Sequence, residues 1–221
     1  MSASAKMLIS GASGVIGRPL ALKLAERGVE LVLLGRRVAA LEKLYDEIKA
    51  IGGPEPAIYP LNLEGATPQD FATLAETLER ELGELDALVH LAARFEGLSP
   101  LATFDPTEWM RVVQIGLNAP LMLTQAVLPL LTRVAHGKIV FSDDSPARIE
   151  RAYWGAYAVA KGAQRTLVTL WRDELESSSV TVHVVEPGPH APGLSSRAYA
   201  VDTRQNLVSI ESIVDQYLAV L

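Results

Sequence analysis

Ser10-Gly11-Ala12-Ser13-Gly14-Val15-Ile16-Gly17 is the stretch on which the fold turns. It follows a short apolar run at residues 7–10 that reads as a strand. It leads into a helical pattern over 18–27, stopped by Gly28. Between a strand and a helix, glycines three apart have a physical use. Gly11 permits a tight turn, Gly14 lets the backbone come close to a phosphate, and Gly17 lets the helix lie against the strand. The helix start, with Ser13 and Ile16 in the same turn, then offers N–H groups and a positive dipole to a pyrophosphate. Taken alone, the glycines also fit a plain strand–helix turn.

Outward from this turn the chain alternates. Nearly continuous apolar strands are expected at 30–34, 57–61, 85–92, 138–142 and 180–185. Helical patterns fill 38–51, 68–82, 106–132, 153–176 and 211–221. Thr67-Pro68-Gln69-Asp70 and Asp105-Pro106-Thr107-Glu108 read as helix starts, with a capping side chain before a proline. Such alternation implies right-handed crossovers. The fold class is therefore α/β: a Rossmann-type, doubly wound parallel sheet of six strands with helices on both faces, in a single domain over residues 1–221. Residues 189–209 are the one long irregular stretch, either an active-site lid or a surface loop.

Bulk properties narrow the function. The net charge of −6 provides no broad basic field, so no nucleic-acid partner is expected. No apolar run approaches the roughly 20 residues of a membrane span, so no membrane partner is expected either. The N-terminus runs directly into a strand, which argues against a signal peptide. The chain has no cysteine. That excludes disulfides, thiol catalysis and cysteine-ligated zinc, and it fits a cytoplasmic protein. His90, His136, His183 and His190 are scattered without metal-ligand spacing, so no metal site is expected.

The second strand ends in Leu34-Gly35-Arg36-Arg37. An acidic residue here would bind the ribose 2′-hydroxyl of NAD. Gly35 leaves that place open, and Arg36, with Arg37 beside it, can grip a 2′-phosphate, so NADP(H) is the expected cofactor. Asn62, followed by Leu63, can both donate to and accept from an adenine edge, or simply make its own turn. Further on, Tyr157-Ala-Val-Ala-Lys161 places a phenol and an ammonium one helical turn apart. A phenol of ordinary pKa about 10 is a poor proton carrier near neutrality, and a nearby cation lowers that value.

These residues resemble the short-chain dehydrogenase/reductase family. The resemblance runs over essentially the whole chain. It rests on the glycine turn, Asn62, Leu91-Ala92-Ala93, Tyr157 with Lys161, and Pro187-Gly188. It implies hydride transfer between a nicotinamide and a carbonyl or alcohol substrate, with Tyr157 as acid/base. Lys161 would lower the phenol's pKa and hold the ribose. Ala92, Pro187 and Gly188 would join the cofactor-binding set. The chain also departs from the family. Asp144 stands where a serine usually sits, 13 residues before the tyrosine, with Ser145 or Ser142 as candidates to replace it. Gly116 holds the usual asparagine's place, with Asn118 on a different face, and Pro192 holds that of a threonine. An ionised Asp144 accepts hydrogen bonds but donates none, and it would raise the pKa of a nearby phenol.

Two functions therefore compete. One is an NADPH-dependent reductase or alcohol dehydrogenase using Tyr157, Lys161 and either Ser145 or Asp144. The other is a nucleotide-binding redox sensor or partner-binding module with little turnover. The chain stops at Leu221, short of the family's usual seventh strand, which weakens tetramer formation. A homodimer through the two long helices remains open, using Trp109, Met110, Val113 and Leu117 with Val159, Leu167 and Leu170. Core-facing stripes explain the same residues. His190, after the Pro-Gly turn, reads as an exposed loop residue before a substrate-facing one, and Trp154 as either pocket wall or packing. Arg94, Arg148, Arg151 and Arg197 hint at an anionic group on the substrate.

Overall fold

The computed structural model describes residues 4–190 and 207–221. Six parallel strands run in the order β3-β2-β1-β4-β5-β6. They are β1 (Lys6–Ser10), β2 (Glu30–Gly35), β3 (Ala57–Pro60), β4 (Ala87–His90), β5 (Gly137–Ser142) and β6 (Val180–Val185). The strands are apolar on both sides because both sheet faces are covered. Leu8, Val32, Leu34, Leu88, Ile139 and Phe141 point into one core, with Phe71, Leu74, Leu123, Val127 and Val168 from the helices. Their strand neighbours Met7, Ile9, Leu31, Leu33, Val89 and Val140 point into the other, with Leu20, Leu41, Leu44 and Tyr217. This is the period-two alternation of a strand whose two faces are equally dry.

The first three helices are α1 (Gly17–Glu26), α2 (Val38–Ala50) and α3 (Pro68–Leu82). The start of α3 is the capping box its sequence foretells. The Thr67 N–H donates to Asp70 Oδ2 at 2.7 Å, and the Asp70 N–H donates back to Thr67 Oγ1 at 3.4 Å. α4 (Pro106–Val113) opens with a simple cap, Asp105 accepting from the Thr107 N–H at 2.9 Å.

The single helix expected over 106–132 is interrupted. A π-turn occupies Gln114–Asn118, between α4 and α5 (Ala119–Leu131). By length and composition the run Pro106–Leu131 is apolar enough to cross a membrane, contrary to the first expectation. Its apolar character has a local explanation: Ala119, Leu123, Val127, Leu130 and Leu131 are buried in the first core. The helix expected over 153–176 is present and unbroken, two residues shorter at each end, and a short helix not expected from the sequence precedes it. The short one is α6 (Pro146–Ile149), and α7 begins at Gly155 and ends at Glu174. Trp154 precedes it and Tyr153 takes a positive φ of 76°, so the chain turns sharply before α7. β4 is shorter than expected, ending at His90 rather than Ala92. α8 (Ile210–Leu218) closes the chain against the second core. Most of the irregular stretch 189–209, with Pro192 and Arg197, lies outside the described residues.

Candidate active site

After β1 the chain crosses to one face of the sheet, and after β4 to the other. The carboxyl ends of these neighbouring strands therefore open a crevice at the switch in strand order. A cavity of about 550 Å³ lies there. Its wall takes in the glycine turn at one end and Tyr157 and Lys161 at the other. Gly11, Ser13, Gly14, Ile16, Gly17, Arg36, Arg37, Asn62, Leu63, Ala92, Asp144 and Pro187 also line it. Of the site residues predicted from sequence, Ser145 and Gly188 stand outside that wall. Phe95, Ile115, Arg148 and His190 join it.

At the nucleotide end, backbone contact explains the glycines. Gly11 has a φ of +72°, and a Cβ there would stand 2.8 Å from the Ala92 nitrogen. A Cβ on Gly17 would stand 2.3 Å from the Gly11 carbonyl oxygen. β1, its turn, α1 and the end of β4 are thus closer than any side chain allows. α1 starts without a side-chain cap and without an acidic residue in its first turn. Its N-terminus therefore suits an anion. Asn62 makes the turn considered for it, accepting from the Glu64 N–H at 3.3 Å, and lines the cavity as well. Arg36 is exposed, with Nη1 3.7 Å from Glu64. Glu64 is also held by Arg111 at 2.9 Å and by Arg94 at 3.7 Å. Arg94 is bound chiefly to Glu108, donating from Nε at 2.5 Å and from Nη2 at 2.8 Å. It is thereby committed to a buttress rather than to a substrate.

At the reaction end, Tyr157 lies in the first turn of α7 and is buried. Its ring sits 5.4 Å from Phe95, which stacks on Trp154 at 5.1 Å. Trp154 is thus packing behind the tyrosine, not cavity wall. The Tyr157 hydroxyl donates to Asp144 Oδ2 at 3.3 Å. Asp144 is buried, and its Oδ1 receives Arg148 Nε at 2.7 Å along with an Nη2 contact. Asp144 therefore occupies the place considered for a serine. Ser145 instead heads α6. Ser142 shares strand parity with Val140, which points into the second core, away from Tyr157. Arg151 is exposed.

The expected lowering of the Tyr157 pKa by Lys161 is not what the structure shows. Burial, and next the Asp144 carboxylate, push the phenol well above its ordinary value. The Lys161 ammonium is directed elsewhere. It donates to the Ser142 carbonyl and, at 3.0 Å, to Gln164 Oε1. Burial brings Lys161 itself down to about 8, opposed by Asp143 and Asp144. Asp143 is paired with Arg165 at 3.3 Å, and Arg165 also reaches Glu150.

His190 is buried rather than exposed, and its Nδ1 meets the Gly188 carbonyl at 2.9 Å. A carbonyl only accepts, so this nitrogen carries the proton. His90 is buried on β4, stacked 4.6 Å from Phe141, with Nε2 2.9 Å from Thr124 Oγ1. Burial lowers its pKa to about 3, so it is a neutral core residue. Among the described residues no group of three His, Cys, Asp or Glu is placed to hold a metal ion.

The family model for short chain dehydrogenase matches residues 5–200. The chain belongs to this family. An oxidoreductase from Escherichia coli K12, YciK, whose activity is uncharacterised, is 32% identical over 96% of this chain and 84% of its own. Two solved family structures are equally similar. One, from Shigella flexneri 2a, is in complex with NADP. It is 32% identical, covers 98% of this chain and 90% of its own, and has a TM-score of 0.92. The other, from Escherichia coli CFT073, is in complex with NADPH, with the same identity, coverage and TM-score.

Sequence reasoning missed Gln164 and Phe95 as parts of this short chain dehydrogenase site, and it took Arg148 for a substrate contact where the structure pairs it with Asp144. Gln164 had a signal: with Tyr157 and Lys161 it repeats at i, i+4 and i+7, one stripe of α7. Phe95 and Arg148 reach the site from loop and short-helix segments, where no periodicity announces direction.

Proposed function

We propose that this chain is an NADP(H)-dependent oxidoreductase that reduces a carbonyl group on a small molecule. One observation carries the reading. The buried side chains of Tyr157 and Lys161 wall the same cavity as the glycine turn. The cradle fits a dinucleotide, because Gly11 and Gly17 leave no room for a Cβ and α1 presents an uncapped N-terminus. Gly11, Ser13, Gly14, Ile16 and Gly17 would hold the pyrophosphate, and Asn62 and Leu63 the adenine. Arg36 and Arg37 would hold the 2′-phosphate, with Ala92, Pro187 and Gly188 near the nicotinamide. The complexes of the two relatives with NADP and NADPH support the same cofactor.

When bound, NADPH supplies a hydride to the carbonyl carbon. Tyr157 holds the matching proton at Oη and gives it to the carbonyl oxygen, which completes the alcohol. The raised phenol pKa keeps that proton in place at neutral pH but makes Tyr157 a weaker acid, so the charge shell around it limits the rate of the step. Among the described residues, Asp144 rather than a serine stands beside the Tyr157 hydroxyl. Arg148, fixed on Asp144 and lining the cavity, adds positive charge near the place of the reacting oxygen. Lys161 holds the ribose hydroxyls. Asp144 stands beside the phenolate that must regain its proton from solvent.

Calorimetric titration with NADPH and NADH, using Arg36→Ala as control, tests the nucleotide half. Tight NADPH binding, weak NADH binding and loss of the preference in the variant are expected. Absence of binding by either nucleotide would end the oxidoreductase reading. A second reading, binding without turnover, is favoured by the Tyr157 proton being aimed at Asp144. NADPH binding with no nicotinamide oxidation across a broad panel of ketones and aldehydes would select it. The cytoplasm is the proposed location. A second copy of the chain is the proposed partner for the α4/α7 face, where Met110, Val159 and Leu170 are exposed. Sedimentation of the purified protein tests the dimer.

A further inference from the structure

We propose that Gln164 is the positioning residue for Lys161, supplying from α7 the side-chain amide that the glycine at position 116 cannot supply from the facing helix. The inference rests on the reading of Lys161 as the ribose-holding cation of the site, and it names the device that aims that cation. Gln164 is buried, 4% exposed. Its Oε1 accepts from Lys161 Nζ at 3.0 Å, and its Nε2 donates to the Gly116 carbonyl at 3.3 Å.

The chemistry of the partners fixes both ends. An ammonium only donates and a carbonyl only accepts, so the group between them must do both at once, as a primary amide does. The amide's orientation is thus dictated by its neighbours. With the Ser142 carbonyl taking a second N–H, two of the three Lys161 donors have fixed directions. The ammonium is then left one donor for the cavity it lines.

Gly116 has the complementary form. It lies inside the π-turn Gln114–Asn118, where bonding shifts from i→i+4 toward i→i+5 and carbonyls are re-aimed. A Cβ on Gly116 would stand 3.1 Å from the Ala160 Cβ. The close approach that lets Gln164 reach this carbonyl therefore leaves little room for a side chain at 116. Asn118, the other amide on this segment, is exposed and donates to Gln114 Oε1 at 3.0 Å. It is spent locally.

Lys161 is faced by Asp143 and Asp144 from the end of β5, by Tyr157 and Arg165 from its own helix, and by neutral His90 from β4. Burial keeps its pKa near 8, so its charge responds to small changes in this shell.

The test titrates Lys161 directly, by NMR of protein labelled with ¹³Cε-lysine, with the signal assigned through Lys161→Arg. Wild type is compared with Gln164→Glu, which keeps the shape and adds a charge, and Gln164→Leu, which removes the acceptor. Gln164→Glu is expected to move the Lys161 midpoint up by about one pH unit, and Gln164→Leu to move it down by a similar amount. NADPH affinity measured at the same pH values is expected to follow, strongest in each protein below its own midpoint. Two variants that melt like wild type and leave the Lys161 midpoint unchanged would overturn the proposal. Shifted midpoints in a protein that binds no NADPH would uphold Gln164 and remove the proposed function instead.

Discussion

The two ends of the cavity are built on opposite plans. At the nucleotide end the working parts are backbone: the glycines, the start of α1 and strand ends held a few ångströms apart. Its one concentration of charge, around Glu64, lies at the rim. At the reaction end the working parts are side chains, and several are buried and ionisable: Asp143, Asp144, Tyr157 and Lys161. A backbone cradle is set by steric fit and reads the same in every relative that keeps its glycines. A cluster of buried charges is set by mutual compensation, so replacing one member changes the pKa of the others. The chemistry of this chain therefore diverges where charge is interdependent and stays fixed where the backbone binds.

Substitutions can break or sharpen that contrast. The largest effect is expected from Tyr157→Phe, which removes the proton donor; turnover should fall by about 10²–10⁴-fold with NADPH affinity unchanged in titration. Next is Gly17→Ala, whose Cβ would stand 2.3 Å from the Gly11 carbonyl oxygen. Overpacking of this kind costs about 1–3 kcal/mol, so NADPH affinity should drop about ten- to hundredfold. Calorimetry would show this, and a normal affinity would mean that the cradle tolerates bulk. Asp144→Asn addresses the other end. Removing the carboxylate charge should bring the Tyr157 pKa down while burial still holds it high. A fall of one pH unit is worth about 1.4 kcal/mol. Difference titration of phenolate absorbance against Tyr157→Phe reads the change, and reduction of a neutral ketone should quicken about tenfold. An unchanged midpoint would show that Arg148 already cancels Asp144.

Arg36→Ala should cost NADPH about tenfold and leave NADH alone, since the charge-assisted bonds lost are at an exposed site. The smallest effect belongs to Glu64→Gln. Glu64 lies 3.7 Å from Arg36 and competes with a 2′-phosphate. Because Arg111 and Arg94 already hold it, its removal should raise NADPH affinity only about two- to threefold.

The same contrast explains what the sequence made legible. Alternating apolar runs, the caps at Thr67 and Asp105 and the glycine turn are local signals, and the structure has the six parallel strands they imply. Asp144 could be counted into the serine's place from a fixed spacing. The direction of the Tyr157 pKa could not be read, because it depends on how deep the ring lies and where the Lys161 ammonium is aimed. Ser145 was a candidate for the serine's place, yet the turn into α6 gives the inward place to Asp144. His190 looked exposed, but it folds back on the Gly188 carbonyl. The short α6 was not legible because four residues are too few to show a helical period.

The π-turn at Gln114–Asn118 also bears on which variants of this protein can exist. Each residue of an α-helix turns the chain by about 100°, so a turn that accommodates one extra residue acts as a phase adjuster between α4 and α5. Deleting one residue there would let the helix straighten without rotating what lies beyond it, because the turn already absorbs that residue's angle. Leu123, Val127 and Leu130 would stay dry against the sheet. A deletion elsewhere in α5, where no such slack exists, would swing them toward water. Relatives that straighten this helix should be one residue shorter here, with the spacing on either side unchanged.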